Sequence, residues 1–129
     1  MEAVRIALDA MTQEGLDAFA EHWTDDIDHR AIEGAVDDRG PMQGKEAVRV
    51  HVQDWLDTFD AFTVEPRELI DAGPDHVVAV LRIAGRAKLS GIETDLTYAV
   101  VYEIRDGKIA RGREYATRGE ALEAAGLSE

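Results

Sequence analysis

The second half of this chain of 129 residues contains four strand-like segments separated by turns that are too short to hold a helix. The turns are Ala72-Gly73-Pro74-Asp75, Ser90-Gly91 and Asp106-Gly107, and they are rich in residues that favour tight turns. Strands joined so closely pair with their neighbours as an antiparallel meander, because a parallel connection needs about a dozen residues or more. The predicted strands are 62–71, 76–89, 94–105 and 108–115.

The first half has the spacing of amphipathic helices instead. Apolar residues recur every three to four positions in three separate segments, which is the period of one helix face. Between the second and third segments, apolar and polar residues alternate as in a short strand. The predicted elements are helices at 4–11, 16–23 and 46–58, a strand at 27–31 and a loop at 34–44.

The C-terminal segment carries the signals of a helix with defined ends. Thr117 precedes Glu120 by one helical turn, as in a capping box, and Gly126 stands between Leu122 and Leu127 as in a Schellman motif. Helices followed by a meander indicate an α+β fold with helices on one face of the sheet. The length and the lack of a long polar run predict a single domain, residues 1–129.

Composition excludes several classes of partner and chemistry. The formal net charge of −13 repels phosphate backbones and anionic lipid surfaces, so we expect no nucleic acid and no membrane as partner. The chain has no cysteine, which excludes disulfides and thiol catalysis. Neither a signal-like segment after Met1 nor a run of about 18 apolar residues is present, so a cytoplasmic location is the default expectation.

The last hairpin decides whether Glu114 faces the inside of the fold. A two-residue turn at Asp106-Gly107 would direct Arg111 and Arg113 to the inside. A three-residue loop with a bulge at the glycine directs Glu114 inside instead and pairs it with Tyr98. Because burying two cations costs more than burying one acid, we predict the three-residue loop.

In that register the hairpin carries one carboxylate among small residues, which is typical of a cavity wall. We expect burial to raise the pKa of Glu114 above that of an ordinary glutamate. Two plainer interpretations stay open, because Glu114 could be a solvated strand residue and His51 a core histidine. The predicted catalytic residues are Glu114, Tyr98, His29 and His51, and the predicted ligand-binding residues are Trp23, Trp55, Tyr102, Val100, Ala110, Gly112 and Ala116.

Four segments stand in an order that carries a family resemblance: WTDDID from Trp23, GKEAV from Gly44, YEIRDGKI from Tyr102 and EALEAAGL from Glu120. Together they resemble the SnoaL-like branch of the nuclear-transport-factor-2-like superfamily. The resemblance implies a cone-shaped, curved antiparallel sheet (an α+β barrel) closed by the N-terminal helices around a pocket, often in a homodimer. Members include isomerases, cyclases, dehydratases, epoxide hydrolases and noncatalytic proteins, so the fold alone does not define the function.

The catalytic positions of these relatives match the chain only in part. Three catalytic positions of the ketosteroid isomerases fall on Ala7, Ala31 and Val100, which cannot transfer protons or stabilise an oxyanion. The acid/base aspartate of the SnoaL-type polyketide cyclases matches Glu114, whereas their partner histidine falls near Arg86-Ala87.

We therefore predict a pocket protein for a small apolar molecule, with a cofactor-independent isomerase, cyclase or lyase activity that uses Glu114 as general acid or base. A noncatalytic binder of a small apolar ligand and a dimeric scaffold with a vestigial cavity are the alternatives. The four histidines lack metal-ligand spacing and no nucleotide-binding motif is present, so we predict no metal and no cofactor.

An apolar strip on the outer sheet face predicts, together with the resemblance, a homodimer through that face. The strip consists of Thr97, Ala99, Val101, Val78 and Val80. The arginines expected to surround it, facing Glu103 or acids of a second subunit, are Arg82, Arg86, Arg111 and Arg113.

Overall fold

The computed structural model describes residues 1–35, 38 and 40–127. In this part of the chain the first half is mostly helical and the second half is a run of strands, as the residue patterns predict. None of the described helices is long and apolar enough to cross a membrane. The elements are α1 (Glu2–Glu14), α2 (Leu16–Ala20), β1 (Trp23–Arg30), β2 (Met42–Gln43), α3 (Lys45–Thr58), β3 (Phe59–Asp71), β4 (His76–Ala87), β5 (Glu93–Arg105), β6 (Lys108–Tyr115) and α4 (Arg118–Ala124).

All six strands belong to one curved sheet in the order β2-β1-β6-β5-β4-β3. The strands β3 to β6 form the predicted antiparallel meander, whereas β1 lies parallel to β6. The α+β fold with a curved sheet is confirmed. The sheet is open and not a closed barrel, because β2 and β3 are its two edges.

The sheet separates two apolar clusters. On the inner face, α1, α2 and α3 pack against the sheet and bury Val4, Leu8 and Trp23 almost completely. Burying each such large side chain stabilises the fold by about 1.5–3 kcal/mol relative to leaving it exposed. The first three helices therefore hold one side of the sheet away from water.

Several element boundaries differ from the predicted ones. The helix α2 ends at Ala20 instead of residue 23, and the strand β4 ends at Ala87 instead of residue 89. The strand β3 starts at Phe59 instead of residue 62, because Phe59 and Asp60 already pair with β4. The register with β4 shifts after them, where Ala61 has a left-handed backbone (φ 54°). The strand β1 starts at Trp23, ahead of the predicted residue 27. Met42–Gln43 forms the short strand β2 inside the predicted loop 34–44, of which residues 36, 37 and 39 lie outside the described residues.

The predicted three-residue loop between β5 and β6 is wrong. Arg105 pairs with Lys108 across a two-residue turn. Both turn residues, Asp106 (φ 55°) and Gly107 (φ 76°), are left-handed, as a type I′ turn requires.

A β-bulge on β6 reverses the inward and outward positions that a two-residue turn alone would give the residues of that strand. The pairing of β5 with β6 shifts at Ala110, which has no partner residue on β5. Beyond the bulge, Val100 pairs with Glu114, in place of the predicted Tyr98. Glu114 therefore does face inward, but the bulge and not the loop length puts it there.

The helix α4 covers the outer sheet face where we predicted a second subunit. Val78, Val80 and Ala99 are at most 7% exposed and pack in one cluster with Ala121 and Leu122. The apolar strip is therefore largely an intramolecular contact, and it no longer supports a dimer interface. The homodimer itself stays a prediction.

The arginines near this face pair within the chain as well. Arg82 lies 2.7 Å from Asp95, and Arg86 lies 3.4 Å from Glu93. Asp28 on β1 receives both remaining arginines, Arg113 at 3.0 Å and Arg111 at 3.5 Å. All four arginines have acidic partners in the same chain, so they give no support to ion pairs with a second subunit.

The two ends of α4 have the predicted caps. The Glu120 N–H donates to the Thr117 hydroxyl at 3.1 Å, and the Leu127 N–H donates to the Leu122 carbonyl at 2.8 Å, past a left-handed Gly126.

Replacing Thr117 by alanine should lower the free energy of unfolding by about 1 kcal/mol, because the N-terminal N–H groups of α4 lose their side-chain acceptor. Urea unfolding followed by circular dichroism measures this loss. Thr117→Ser keeps the acceptor and is the matched control. Equal stabilities of the alanine and serine variants would show that the cap does not stabilise the docked helix.

Candidate functional site

A cavity of about 430 Å³ lies between the inner sheet face and the first three helices. This volume falls in the range of about 300–1,000 Å³ that small-molecule pockets occupy. Most of the wall is aliphatic or aromatic, and Leu96, 49% exposed, is the most exposed large apolar residue on it. The polar residues of the wall are His29, His51, Thr97, Tyr98, Tyr102 and Glu114.

Three of the four predicted catalytic residues meet inside this cavity. His29 Nε2 lies 2.7 Å from Glu114 Oε2, and His51 Nε2 lies 3.6 Å from the same oxygen. The centroids of the two imidazole rings are 5.6 Å apart. His29 comes from β1, His51 from α3 and Glu114 from β6, so the cluster joins both sides of the cavity.

The cluster is shielded from solvent. The side chains of His29 and Glu114 are each 12% exposed, and that of His51 is 3% exposed. Buried carboxylates are rare unless they are paired, and here two imidazoles supply the partners. We call these three residues the His-Glu-His cluster.

Gly112 makes room for the imidazole of His29. The two residues are register partners on β1 and β6. A Cβ atom added at position 112 would lie 2.5 Å from His29 Nδ1, closer than any nonbonded contact allows. The missing side chain therefore lets the ring lie close to β6, within hydrogen-bond distance of Glu114.

The prediction of a raised pKa for Glu114 is wrong. Burial does raise the pKa of this carboxyl, but the hydrogen bond from His29 and the proximity of His51 lower it more, to about 2. Glu114 is thus ionised at neutral pH, and because a carboxylate only accepts hydrogen bonds, His29 Nε2 is the donor. The predicted rise follows from desolvation alone, whereas the two imidazoles more than offset it.

Both predicted tyrosines lie on the cavity wall. Tyr102 is 5% exposed, and burial together with the negative charge of Glu114 raises the pKa of its hydroxyl above the usual value. It therefore stays protonated and can donate a hydrogen bond. Tyr98 is half-buried on the same strand, β5.

Both tryptophans line the cavity, Trp23 from β1 and Trp55 from α3. Trp23 is 1% exposed and packs edge-on against Phe19, with ring centroids 5.1 Å apart. Trp55 stacks on Phe59 at 5.4 Å and contacts Phe62, which also lines the cavity. Phe62 was not among the predicted cavity residues. The left-handed Ala61 interrupts the alternation of inward and outward side chains, so the alternation does not indicate on which face Phe62 lies.

The four small or aliphatic residues predicted to line the cavity divide into two groups. Val100 and Ala116 are on its wall, whereas Ala110 and Gly112 are not among the lining residues. Ile109 lines the cavity where Ala110 was expected, because the bulge shifts the inward side chain by one position.

The same three residues offer donor atoms to a metal ion, a combination that their sequence spacing did not reveal. Their nitrogen and oxygen atoms lie within 4.8 Å of one another, and two histidines with one glutamate form a known zinc ligand set. Ligands of one tetrahedral zinc stand ~3.3 Å apart, since each bond is about 2.0 Å long. The 2.7 Å between His29 and Glu114 is a hydrogen-bond distance instead. A histidine that binds a metal through one ring nitrogen usually donates a hydrogen bond from the other nitrogen. His51 Nδ1 is buried and has no hydrogen-bond partner. The geometry therefore fits a hydrogen-bonded cluster better than a metal centre.

An open curved sheet, helices over its inner face and a ligand-sized cavity between them are the features of the nuclear-transport-factor-2-like fold. The family model of the SnoaL-like domain matches residues 4–112. This chain therefore belongs to the SnoaL-like domain family. No curated protein matches its sequence.

Several solved structures share the fold. An NTF2-like protein of Burkholderia thailandensis is similar with a TM-score of 0.79 and 20% identity, over 98% of this chain and 95% of that one. The RV0760c protein of Mycobacterium tuberculosis, solved in complex with estradiol-17beta-hemisuccinate, is similar with a TM-score of 0.75 and 19% identity over 91% and 92% of the two chains. TerC, co-crystallised with polyporic acid, is similar with a TM-score of 0.75 and 18% identity over 97% and 96%.

Proposed function

We propose that this protein binds a small apolar compound in the inner cavity and catalyses a cofactor-independent proton transfer on it, of the isomerase, cyclase or lyase type. The observation that carries the proposal is the 2.7 Å contact between His29 and the ionised Glu114 inside an apolar cavity. A positioned imidazole is the commonest general acid or base, and a carboxylate beside it orients the ring and stabilises its charged form.

The lowered pKa of Glu114 changes the role that this residue takes in the proposal. A carboxylate whose pKa is about 2 is a weak base at neutral pH, so the proton of the substrate ends on an imidazole. The charge of Glu114 then balances the imidazolium in a region that excludes water. We treat the three residues as one proton-transfer unit, because ionisable groups this close together do not gain or lose protons independently.

For a carbonyl compound, the proposed step is the formation of an enolate. The C–H bond next to the carbonyl breaks, its proton moves to the unprotonated ring nitrogen of a neutral histidine of the His-Glu-His cluster, and its electron pair forms an enolate. The protonated Tyr102 is the group that could donate to the enolate oxygen. Returning the proton to another atom completes an isomerisation, and expelling a leaving group from the enolate completes an elimination.

The relatives support a small-molecule ligand in a cavity of this kind, since one was solved with a steroid ester and another with polyporic acid. The volume of about 430 Å³ favours a ligand over a vestigial cavity. A noncatalytic ligand binder is the second candidate, favoured by the near-complete burial of the cluster. A cytoplasmic location and a homodimer stay predictions from the sequence.

Exchange of the α-protons of 2-tetralone in D₂O, followed by proton NMR, tests the proposal with a bicyclic ketone of suitable size. The wild-type protein should accelerate exchange above the buffer rate at pH 7. His29→Gln should reduce the protein-dependent rate by roughly tenfold, because His51 remains beside Glu114 and can still accept a proton.

A surface pair of the same composition provides the control. His76 lies 3.4 Å from Glu103, and both side chains are at least 40% exposed. His76→Gln should leave the exchange rate unchanged. If line broadening shows that 2-tetralone binds, but the wild-type rate equals the buffer rate, proton transfer is wrong and the noncatalytic binder takes its place.

A further inference from the structure

The charge of the cavity is unbalanced. Among the described residues that line it, Glu114 is the only one that carries a full charge at neutral pH with the histidines neutral, and none is a lysine or arginine. The arginines of the same strand, Arg111 and Arg113, are held on the other side by Asp28. A ligand in the cavity therefore meets a negative charge and no fixed positive one.

The two oxygens of the Glu114 carboxylate differ in their hydrogen-bond partners. Both imidazoles approach the same oxygen, Oε2. Within the described part of the chain, Oε1 has no hydrogen-bond partner. An ionised carboxylate can accept several hydrogen bonds but cannot donate one. The open position on Glu114 suits a donor group and repels a second acceptor.

We propose that the cavity selects ligands by charge and by hydrogen-bond polarity: it binds neutral ring compounds that present a hydroxyl donor to Glu114, and it excludes their anionic counterparts. The inference rests on the proposed function in that it concerns the same cavity. It concerns binding alone, so it can hold or fail whether or not proton transfer occurs.

The repulsion of anions is due to the nearby Glu114 carboxylate and not to the net charge of the chain. At physiological salt, charges farther apart than about 8 Å are largely screened, whereas a ligand inside the cavity lies next to Glu114 in a region of low dielectric. The selectivity should therefore persist when the salt concentration is raised. A selectivity caused by the overall charge of −13 would disappear.

Isothermal titration calorimetry with three naphthalenes of similar size tests the proposal at pH 7. The probes are 2-naphthol, a neutral donor, 2-methoxynaphthalene, which lacks the donor, and 2-naphthoate, an anion. We expect 2-naphthol to bind about tenfold more tightly than 2-methoxynaphthalene and at least about 100-fold more tightly than 2-naphthoate, in 0.15 M and in 0.5 M salt.

Glu114→Gln should narrow the difference between 2-naphthol and 2-naphthoate to less than about tenfold, because the amide removes the charge and adds a donor. Glu103→Gln removes the same charge at the surface and should leave the wild-type order unchanged. Equal affinity for 2-naphthoate and 2-naphthol, binding of none of the three probes, or an order unaffected by Glu114→Gln would each overturn the proposal. Charge selection together with binding but no exchange of 2-tetralone would disprove the catalytic function and leave this inference standing.

Discussion

Glu114→Gln is expected to reduce the exchange rate of 2-tetralone by about 10²-fold or more, a larger loss than His29→Gln should produce. Glu114 Oε2 contacts both imidazoles, at 2.7 Å and 3.6 Å, so one substitution removes the counter-charge of both candidate bases. Glutamine keeps the shape and one acceptor, which separates loss of charge from loss of packing. General acid or base catalysis contributes roughly 10²–10⁴-fold, so the expected loss is at the lower end.

The matched control is Glu103→Gln, which removes one carboxylate from the exposed pair with His76. Its exchange rate should equal that of the wild type. A rate for Glu114→Gln within twofold of the wild-type rate would contradict a role for the His-Glu-His cluster in proton transfer.

The same variant should change how stability depends on pH. The pKa of Glu114 is about 2 in the folded chain, below the value of 4.5 expected for an exposed glutamate. Since the folded pKa is the lower one, the carboxylate stabilises the fold fully above about pH 4.5, and this contribution is lost as the pH falls toward 2.

Urea unfolding at a series of pH values measures this contribution. At pH 7 the difference in unfolding free energy between the wild type and Glu114→Gln should be on the order of 3 kcal/mol at most, and it should shrink between pH 4.5 and pH 2. Other carboxyl groups also lose stabilising contacts in acid, such as Asp38 beside Arg30, whose hydrogen bond lowers the pKa of Asp38. Comparing the two proteins at each pH cancels those contributions.

Gly112→Ala is expected to destabilise the protein by about 1–3 kcal/mol, although alanine normally suits a strand better than glycine. At a position free of contacts, this substitution should stabilise by about 0.4–1 kcal/mol, because the unfolded chain has fewer conformations. Here the new Cβ would lie 2.5 Å from His29 Nδ1 and 3.0 Å from His29 Cε1, so the ring must move away from Glu114. The loss combines overpacking with the broken hydrogen bond.

A double-mutant cycle separates this clash from a general effect on β6. In a His29→Ala background the imidazole is absent, so Gly112→Ala should be neutral or stabilising there, reversing its sign. Thermal or urea unfolding of the four proteins gives the coupling energy. The same destabilisation in both backgrounds would show that the alanine disturbs the strand itself and that Gly112 does not position His29.

The outer face illustrates how an accurate local pattern can support a wrong inference. Val78, Val80 and Ala99 do form a continuous apolar strip, and an exposed strip of this kind would indicate an interface. The residue pattern of α4 predicted both ends of that helix correctly but not the sheet face on which it packs. Both faces of the sheet are apolar enough to accept a helix, so the choice between them depends on chain connections and contacts far apart in sequence.

The hairpin at Asp106-Gly107 shows the same limit at the level of single residues. A short loop and an inward Glu114 follow from the sequence, since turn chemistry and the cost of burying arginines are local arguments. The bulge at Ala110 does not follow, because a two-residue turn followed by a bulge and a three-residue loop give the same inward face for Glu114.

Apart from the short strand β2, the sequence by itself determined the order of helices and strands, the caps of α4 and the residues able to carry acid/base chemistry, because each depends on neighbours within about one or two turns of chain. Only the tertiary structure decided that His29 and Glu114, 85 positions apart, form a hydrogen bond beside His51. That meeting lowers the pKa of Glu114, which burial considered alone would raise. The protonation state of a buried group is set by the groups that pack against it, and no local periodicity encodes which groups those are.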